Sequence, residues 1–222
     1  MIDVHCHILP DVDDGAENLK ESLAMADLAI GCGVRDIIAT PHFRGAEQEL
    51  ENLPRMLEQL NRLKRVLEAE GKKLRIHPGA EILCFPETVE LARQGKLPTL
   101  GSSDYVLCEF FFDAPFEYMD RILADIAKAG YKIVVAHPER YSAIQHDPHR
   151  ARSWFERGIV LQVNKGSVLG AIGRRAEETA VRLLYRGNVH VIASDAHSPE
   201  RRTPDMTAVR EWAREHLGRE YA

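Results

Sequence analysis

Two histidines close to a group of aspartates open the chain with side chains that could bind metal. His5 and His7 lie two residues apart, a spacing that points both imidazoles to the same face of an extended chain. Ile2 and Val4 alternate with polar residues, which predicts a short buried strand. A proline, three aspartates and a glycine follow, as in a loop. Imidazoles at a strand end beside loop carboxylates could serve divalent metal ions, although a chance His-x-His pair is the simpler explanation.

Other side chains with the same chemistry stand at or just after the ends of predicted strands. They are His42, Glu81, Glu109, His137, Asp195 and His197. Each alone has an ordinary alternative, such as a capping histidine or a charge on an edge strand. Several strands that each deliver such a residue to one edge favour a shared site. The remaining histidines are interpreted as structural or surface residues; they are His77, His146, His149, His190 and His216.

Two arginines are predicted to reach over the same edge. Arg140 follows His137 by three residues, and Arg202 follows His197 by five. Guanidinium groups suit bidentate recognition of phosphate or carboxylate. The alternative for both is an ordinary surface arginine.

Alternating strands and helices must bring these side chains together. Strands are predicted at the opening stretch and over residues 34–40, 74–82, 105–112, 131–136, 159–164 and 189–193. Helices are predicted over residues 18–30, 47–70, 86–94, 116–129, 148–157, 174–186 and 206–217. The alternation implies parallel pairing, in a closed or distorted α/β barrel or an open doubly wound sheet. We prefer the barrel, because its strand ends converge on one mouth and the glycine-rich turn of dinucleotide-binding sheets is missing.

Composition limits the classes of protein to consider. The 222 residues are 45% hydrophobic and fit one domain over residues 1–222. A net charge of −5 argues against a general nucleic-acid binder. No apolar run is long enough to predict a membrane span, and no secretory signal is recognised. The cysteines (Cys6, Cys32, Cys84 and Cys108) are widely spaced, which predicts reduced thiols in a cytoplasmic protein.

These motifs together resemble the PHP (polymerase and histidinol phosphatase) superfamily, and within it the bacterial capsular-polysaccharide type of metal-dependent protein-tyrosine phosphatase. The resemblance runs from Met1 to about Met206. It is carried by His5-x-His7, Asp14, Thr40-Pro41-His42, Gly79-x-Glu81, Glu109, His137-Pro138-Glu139-Arg140-Tyr141, Gln162-Val163-Asn164-x-Gly166-Ser167 and Ser194-Asp195-x-His197.

The resemblance implies a distorted (β/α)7 barrel that holds three divalent metal ions. The first ion would take His5, His7, Glu81 and Asp195; the second Glu81, Glu109 and His137; the third Asp14, His42 and His197. Histidine-rich sites with oxygen ligands suit manganese, iron or zinc better than magnesium or calcium. Manganese is the expected ion.

The implied activity is hydrolysis of a phosphotyrosine protein, with the tail of a bacterial tyrosine kinase that regulates polysaccharide synthesis as the expected substrate. Arg140 and Arg202 would bind the phosphoryl oxygens, and His42 could assist the leaving group. A cysteine nucleophile is excluded, because no cysteine is followed by arginine after five intervening residues.

Some residues depart from the commonest forms of the family. They are Phe43-Arg44-Gly45, Arg201-Arg202-Thr203-Pro204 and Lys165, all expected around the substrate mouth. A PHP phosphatase for a small metabolite such as histidinol phosphate is therefore the nearest alternative. A nuclease or polymerase proofreading module fits the acidic charge less well. A non-catalytic, metal-stabilised docking module is a third alternative.

Overall fold

Parallel strands alternate with helices over residues 1–218, which the computed structural model describes. The strands are β1 (Ile2–Cys6), β2 (Asp36–Ala39), β3 (His42–Phe43), β4 (Arg75–Pro78), β5 (Glu81–Leu83), β6 (Tyr105–Glu109), β7 (Lys132–Ala136), β8 (Val160–Asn164) and β9 (Val191–Ala193). The helices are α1 (Leu19–Gly31), α2 (Leu53–Ala69), α3 (Pro86–Arg93), α4 (Phe116–Lys128), α5 (Ser142–His146), α6 (His149–Glu156), α7 (Lys165–Val168), α8 (Arg174–Tyr185) and α9 (Thr207–His216). The predicted α/β class with parallel strands is confirmed.

The strands form two sheets that lie next to each other. One has the order β1-β2-β4 and the other the order β3-β5-β6-β7-β8-β9. Only residues 40–41 separate β2 from β3, and only residues 79–80 separate β4 from β5, so the chain passes twice from the first sheet to the second. Beyond β9, Ala196 forms a parallel bridge with Cys6 at the end of β1. The two sheets are therefore linked at the ends of β2 and β4 by short connections, and at the end of β1 by the bridge to Ala196.

Helices cover the sheets with one apolar face each. On α4 this face consists of Met119, Ile122, Leu123 and Ile126, and on α2 of Met56, Leu60, Leu63 and Leu67. The three- and four-residue steps put these side chains on one stripe, and each one buried contributes about 1.5–3 kcal/mol. Among residues 1–218, no helix combines the length and apolar composition that crossing a bilayer requires.

The single strand predicted over residues 74–82 is wrong, since β4 and β5 are separate. A Cβ atom on Gly79 would lie 2.7 Å from Ile38 Cγ2, so the backbone packs closely against β2 at this point. The chain then enters the second sheet, where Glu81 lies opposite His42 of β3. The sequence did not reveal β3, because two residues show no periodicity. This break places Glu81 beside His42.

Two other predicted elements are shorter than expected. The helix over residues 47–70 begins as a 3-10 turn at Glu47–Asn52, and α2 starts only at Leu53. Pro54 accounts for this start, because proline is tolerated in the first turn of an α-helix but not in its interior. The strand over residues 105–112 ends at Glu109, so the phenylalanines at 111 and 112 leave the sheet and are exposed.

Candidate metal centre

The imidazoles of His5 and His7 are fully buried at the end of β1, with their Nε2 atoms 3.2 Å apart. His5 Nδ1 lies 2.9 Å from Gln162 Oε1, and His7 Nδ1 lies 2.6 Å from Asp13 Oδ2. Because both partners are oxygen acceptors, each neutral ring carries its proton on Nδ1. The Nε2 of a ring in this tautomer keeps a lone pair that could bind a metal ion.

Glu81 and Asp195 bring carboxylate oxygens to these nitrogens. Glu81 Oε2 lies 3.2 Å from His5 Nε2 and 3.3 Å from His7 Nε2. Asp195 Oδ1 lies 3.4 Å and 3.6 Å from the same two atoms. All four side chains are buried, and their ligand atoms lie within 4.8 Å of one another. The structure thus brings together the residues predicted for the first metal ion.

A second group lies farther out, where the loop after β1 meets β3 and the segment after β9. Asp14 Oδ1 lies 3.3 Å from His42 Nε2 and 3.4 Å from His197 Nε2. His7 belongs to the same group. A Cβ atom on Gly15 would lie 2.2 Å from the carbonyl oxygen of His7, so only glycine lets the loop pack here. The group contains the three ligands predicted for the third ion.

The third group differs in one member from the predicted second set. His42 Nδ1 lies 3.0 Å from Glu109 Oε1 and 3.3 Å from Glu81 Oε2, and these three residues form the group. His137 Nε2 lies 2.7 Å from Glu81 Oε1 but 4.0 Å from Glu109 Oε2. His137 is therefore adjacent to the group, while His42 joins two groups through its two nitrogens.

The imidazoles and carboxylates of this cluster shift each other's pKa values. Burial lowers the pKa of His5, but the charges of Glu81 and Asp195 outweigh it and raise the pKa to about 10. The carboxylates around His42 likewise overcome burial and raise its pKa to about 11. Burial raises the pKa of Glu81, yet the imidazoles beside it hold that pKa well below its usual range. A divalent cation could replace these protons.

The donor atoms fit divalent metal ions. Asp195 Oδ1 is buried without a hydrogen-bond partner, although it lies close to two imidazole nitrogens. The other oxygen, Oδ2, accepts a hydrogen bond from Asn164 Nδ2 and forms an ion pair with Arg202 Nη2 at 2.5 Å. A buried carboxylate oxygen without a partner is rare unless something satisfies it, and a cation would do so. Mixed imidazole and carboxylate donors suit manganese, iron and zinc.

Two of the candidate ligands have a strained backbone. His137 has a φ of 34° and Asp195 a φ of 49°, both in the left-handed region. Non-glycine residues are uncommon there, and holding one costs about 1–3 kcal/mol. Such strain collects at functional sites, where the surrounding structure fixes a side chain in one direction.

Both predicted arginines reach the edge of the cluster. Arg202 Nη2 lies 2.5 Å and Arg140 Nη1 lies 3.7 Å from the same atom, Asp195 Oδ2. The Arg140 guanidinium also lies over the ring of Phe112, with 4.1 Å from Cζ to the ring centroid. Both guanidinium groups are thus held beside the candidate metal ligands.

Side chains that orient the candidate ligands were missed as such by the sequence reasoning. Asp13 accepts hydrogen bonds from His7 and from the backbone of His42, but nothing in the spacing distinguishes it from its neighbouring aspartates. Gln162 Nε2 donates to Asn164 Oδ1 at 2.9 Å, which links His5 to Asp195. These two amides are buried in an otherwise apolar strand, and that contrast could have identified them.

A family model, a curated relative and a solved structure all match this chain over most of its length. The family described as "Capsular polysaccharide synthesis, CpsB/CapC" matches residues 1–222. Tyrosine-protein phosphatase YwqE of Bacillus subtilis is 36% identical over 202 residues, which cover 91% of this chain and 79% of that protein. A crystal structure from a study of YwqE and of CpsB from Streptococcus pneumoniae, described there as unique metal-dependent tyrosine phosphatases, superposes with a TM-score of 0.86. It is 32% identical and covers 98% of this chain and 88% of that one.

A more distant likeness concerns the fold alone. A proposed histidinol phosphatase, hisK, from Listeria monocytogenes superposes with a TM-score of 0.54 at 12% identity. The match covers 89% of this chain and 95% of that chain. The arrangement of strands and helices is thus found in a solved structure of very different sequence.

Proposed function

Because this chain belongs to the CpsB/CapC family of capsular polysaccharide synthesis proteins, we propose that it is a metal-dependent protein-tyrosine phosphatase. The observation that carries the proposal is the contact between the candidate metal ligands and two arginines. Asp195 directs one oxygen at His5 and His7 and the other at Arg202. Metal ions and guanidinium groups side by side are the pair of features that phosphoryl transfer requires.

We propose nine residues as ligands of three divalent ions, with manganese first and iron or zinc as alternatives. They are His5, His7, Asp14, His42, Glu81, Glu109, His137, Asp195 and His197. Bound metal would polarise a phosphoryl oxygen and lower the pKa of water. The carboxylates and imidazoles of the chain supply the charge and the fixed directions that hold such ions in place.

Arg140 and Arg202 would bind the non-bridging oxygens of the phosphoryl group. Asp195 Oδ2 lies beside both guanidinium groups, and the phosphoryl oxygens of substrate would take over these contacts. The two nitrogens of His42 face the carboxylates of Asp14 and Glu109. We therefore propose His42 first as a metal ligand and second as a proton donor to the leaving group. The buried cysteines are poor candidates for a nucleophile, which also supports the metal route.

We further infer that the two sheets form one distorted (β/α)7 barrel. The short connections from β2 to β3 and from β4 to β5 support it, as does the hydrogen bond of 2.8 Å from His7 N to Ala196 O, which joins β1 to the segment after β9. These contacts link the first sheet to the second at the ends of β1, β2 and β4. We also propose that residues 1–222 are a single domain, of which residues 219–222 lie outside the described range.

The proposed substrate is a phosphotyrosine protein, with the tail of a bacterial tyrosine kinase as the first candidate. The family description and the printed names of relatives support a place in capsule synthesis. The four free, buried cysteines support a reducing compartment, so we propose the cytoplasm. The net charge of −5 gives no support to nucleic acid as a partner.

Parallel kinetics on two substrates test the assignment. We expect kcat/KM on a phosphotyrosine peptide to exceed that on histidinol phosphate by at least about tenfold, because the mouth must recognise the leaving group as well as the phosphate. A preference for histidinol phosphate would support the small-metabolite alternative. Failure to hydrolyse either substrate or p-nitrophenyl phosphate, with metal bound, would support the non-catalytic docking alternative.

A further inference from the structure

Two cavities flank the candidate metal centre, and the loop with Asp13 and Asp14 lies between them. One has a volume of about 1050 Å³ and is lined largely by charged residues, among them Lys20, Arg201 and Arg202. The other has a volume of about 720 Å³. The smaller one lies within the range of roughly 300–1,000 Å³ common for small-molecule sites.

The smaller cavity joins candidate metal ligands to exposed aromatic rings. Its lining includes His42 and Glu109 together with Phe111 and Phe112. We call it the aromatic cavity. The phenylalanines are 58% and 44% exposed, although they follow directly on the strand that carries Glu109. Large apolar side chains that stay exposed beside a polar site mark a place where a ligand binds.

The two rings have different surroundings. Phe112 has the Arg140 guanidinium over its face at 4.1 Å, and its centroid is 6.1 Å from that of the His137 ring. Phe111 is braced by Phe85, whose ring meets it edge-on at a centroid distance of 5.7 Å. Phe112 therefore supports a phosphate-binding arginine, while Phe111 is the ring with more free surface.

We propose that the aromatic cavity is the subsite for the aryl ring of the substrate, with Phe111 as the wall that the ring contacts. The proposal rests on the proposed phosphatase function. In an aryl phosphate one oxygen alone separates the ring from phosphorus, so the ring must bind next to the groups that bind the phosphoryl oxygens. The cavity meets this condition, because it shares His42 and Glu109 with the metal centre and Phe112 with Arg140. The charged cavity offers an aryl ring no comparable wall.

Binding of two non-hydrolysable phosphonates isolates the contribution of the ring. Phenylphosphonate and methylphosphonate carry the same dianionic group, and calorimetry on the metal-loaded full chain, at a pH where both are dianions, gives both Kd values. We expect phenylphosphonate to bind about tenfold more tightly, as expected for one aromatic contact with partial ring burial. In Phe111→Ala the ratio of the two Kd values should fall to about threefold or less.

Tyr185→Ala is the matched control, because Tyr185 is also 58% exposed but lies on α8, away from the cavity. It should keep the wild-type ratio. Phe112→Ala should weaken both phosphonates, since Arg140 loses its support. Equal Kd values in the wild type, or an unchanged ratio in Phe111→Ala, would overturn the aryl subsite and leave the phosphatase function standing. If neither phosphonate binds and p-nitrophenyl phosphate is not hydrolysed, the function falls together with the subsite.

Discussion

Glu81 is the residue on which the candidate metal centre most depends. It is buried, and its two oxygens lie within 3.3 Å of nitrogens of four histidines. An ionised carboxylate so deep in the protein requires positive charge around it. Protonated imidazoles or bound metal ions can supply that charge.

Replacing Glu81 tests this dependence. Glu81→Gln keeps the shape but removes the charge, so we expect loss of bound metal and a fall in kcat of about a hundredfold or more. Glu58→Gln is the matched control, because Glu58 is exposed on α2 and should change neither quantity. Metal analysis and kinetics on both variants give the answer. Normal metal content in Glu81→Gln would show that the ligands have been misidentified.

The two arginines should contribute unequally. Arg140 is fixed by Phe112, so Arg140→Ala should lower kcat/KM by roughly a hundredfold, about 3 kcal/mol of transition-state stabilisation. Arg202 lies in the loop after β9, so Arg202→Ala should be milder and act mainly on KM. Metal content should stay normal in both variants. Wild-type kinetics in Arg140→Ala would place phosphate recognition elsewhere.

Protons and metal ions should compete at the centre. The pKa values of about 10 for His5 and about 11 for His42 mean that both rings are protonated at neutral pH without metal. Metal binding must displace these protons, so the apparent affinity should rise with pH and should still be rising at pH 9. Calorimetry in buffers of different ionisation enthalpy measures the released protons. An affinity independent of pH would contradict this electrostatic account.

At the scale of elements, the sequence correctly predicted those features that follow from the periodicity of apolar residues. The alternation of strands and helices, and the position of candidate ligands at strand ends, follow from apolar patterns and turn residues. The break between β4 and β5 depends on how closely Gly79 approaches Ile38, which is a tertiary contact. The contacts of Asp13 with His42 and of Gln162 with His5 likewise join residues far apart in the chain. A local pattern can single out a polar residue in an apolar strand, but it does not show which distant partner that residue contacts.

Lys165 carries a nearly buried charge that contacts the loop after β9. It begins α7, directly after β8, and is nearly buried. Its Nζ donates to the carbonyl oxygen of Asp205 at 2.5 Å and lies 3.3 Å from Thr203 Oγ1. These contacts fasten the segment that carries Arg202 to the end of a central strand. The departure from the family pattern at Lys165 thus concerns the same loop as the departure at residues 201–204.

We therefore expect Lys165→Met to act through Arg202. With its loop released, Arg202 would be less well placed, and KM should rise by about three- to tenfold with normal metal content. Adding Arg202→Ala to Lys165→Met should cost little more, because the two residues act on one interaction. Lys73→Met, at an exposed position, is the control. Fully additive effects in the double variant would show that Lys165 does not act through the arginine.

At the scale of the whole molecule, the candidate ligands come from both sheets and from almost the full length of the chain. His5 lies near its beginning and His197 near its end, and both reach one centre where the sheets meet. The unfolded chain cannot hold its ligands in this arrangement, so metal binding would favour the folded state. The net negative charge of the protein is consistent with a centre that attracts cations.

Metal content measured together with turnover tests the central claim most directly. The purified protein should contain about two to three transition-metal ions per chain, as three mixed histidine and carboxylate groups would bind. Removal of these ions with a chelator should abolish hydrolysis of p-nitrophenyl phosphate, and added Mn²⁺ should restore it. Full turnover by protein shown to be free of metal would contradict the account.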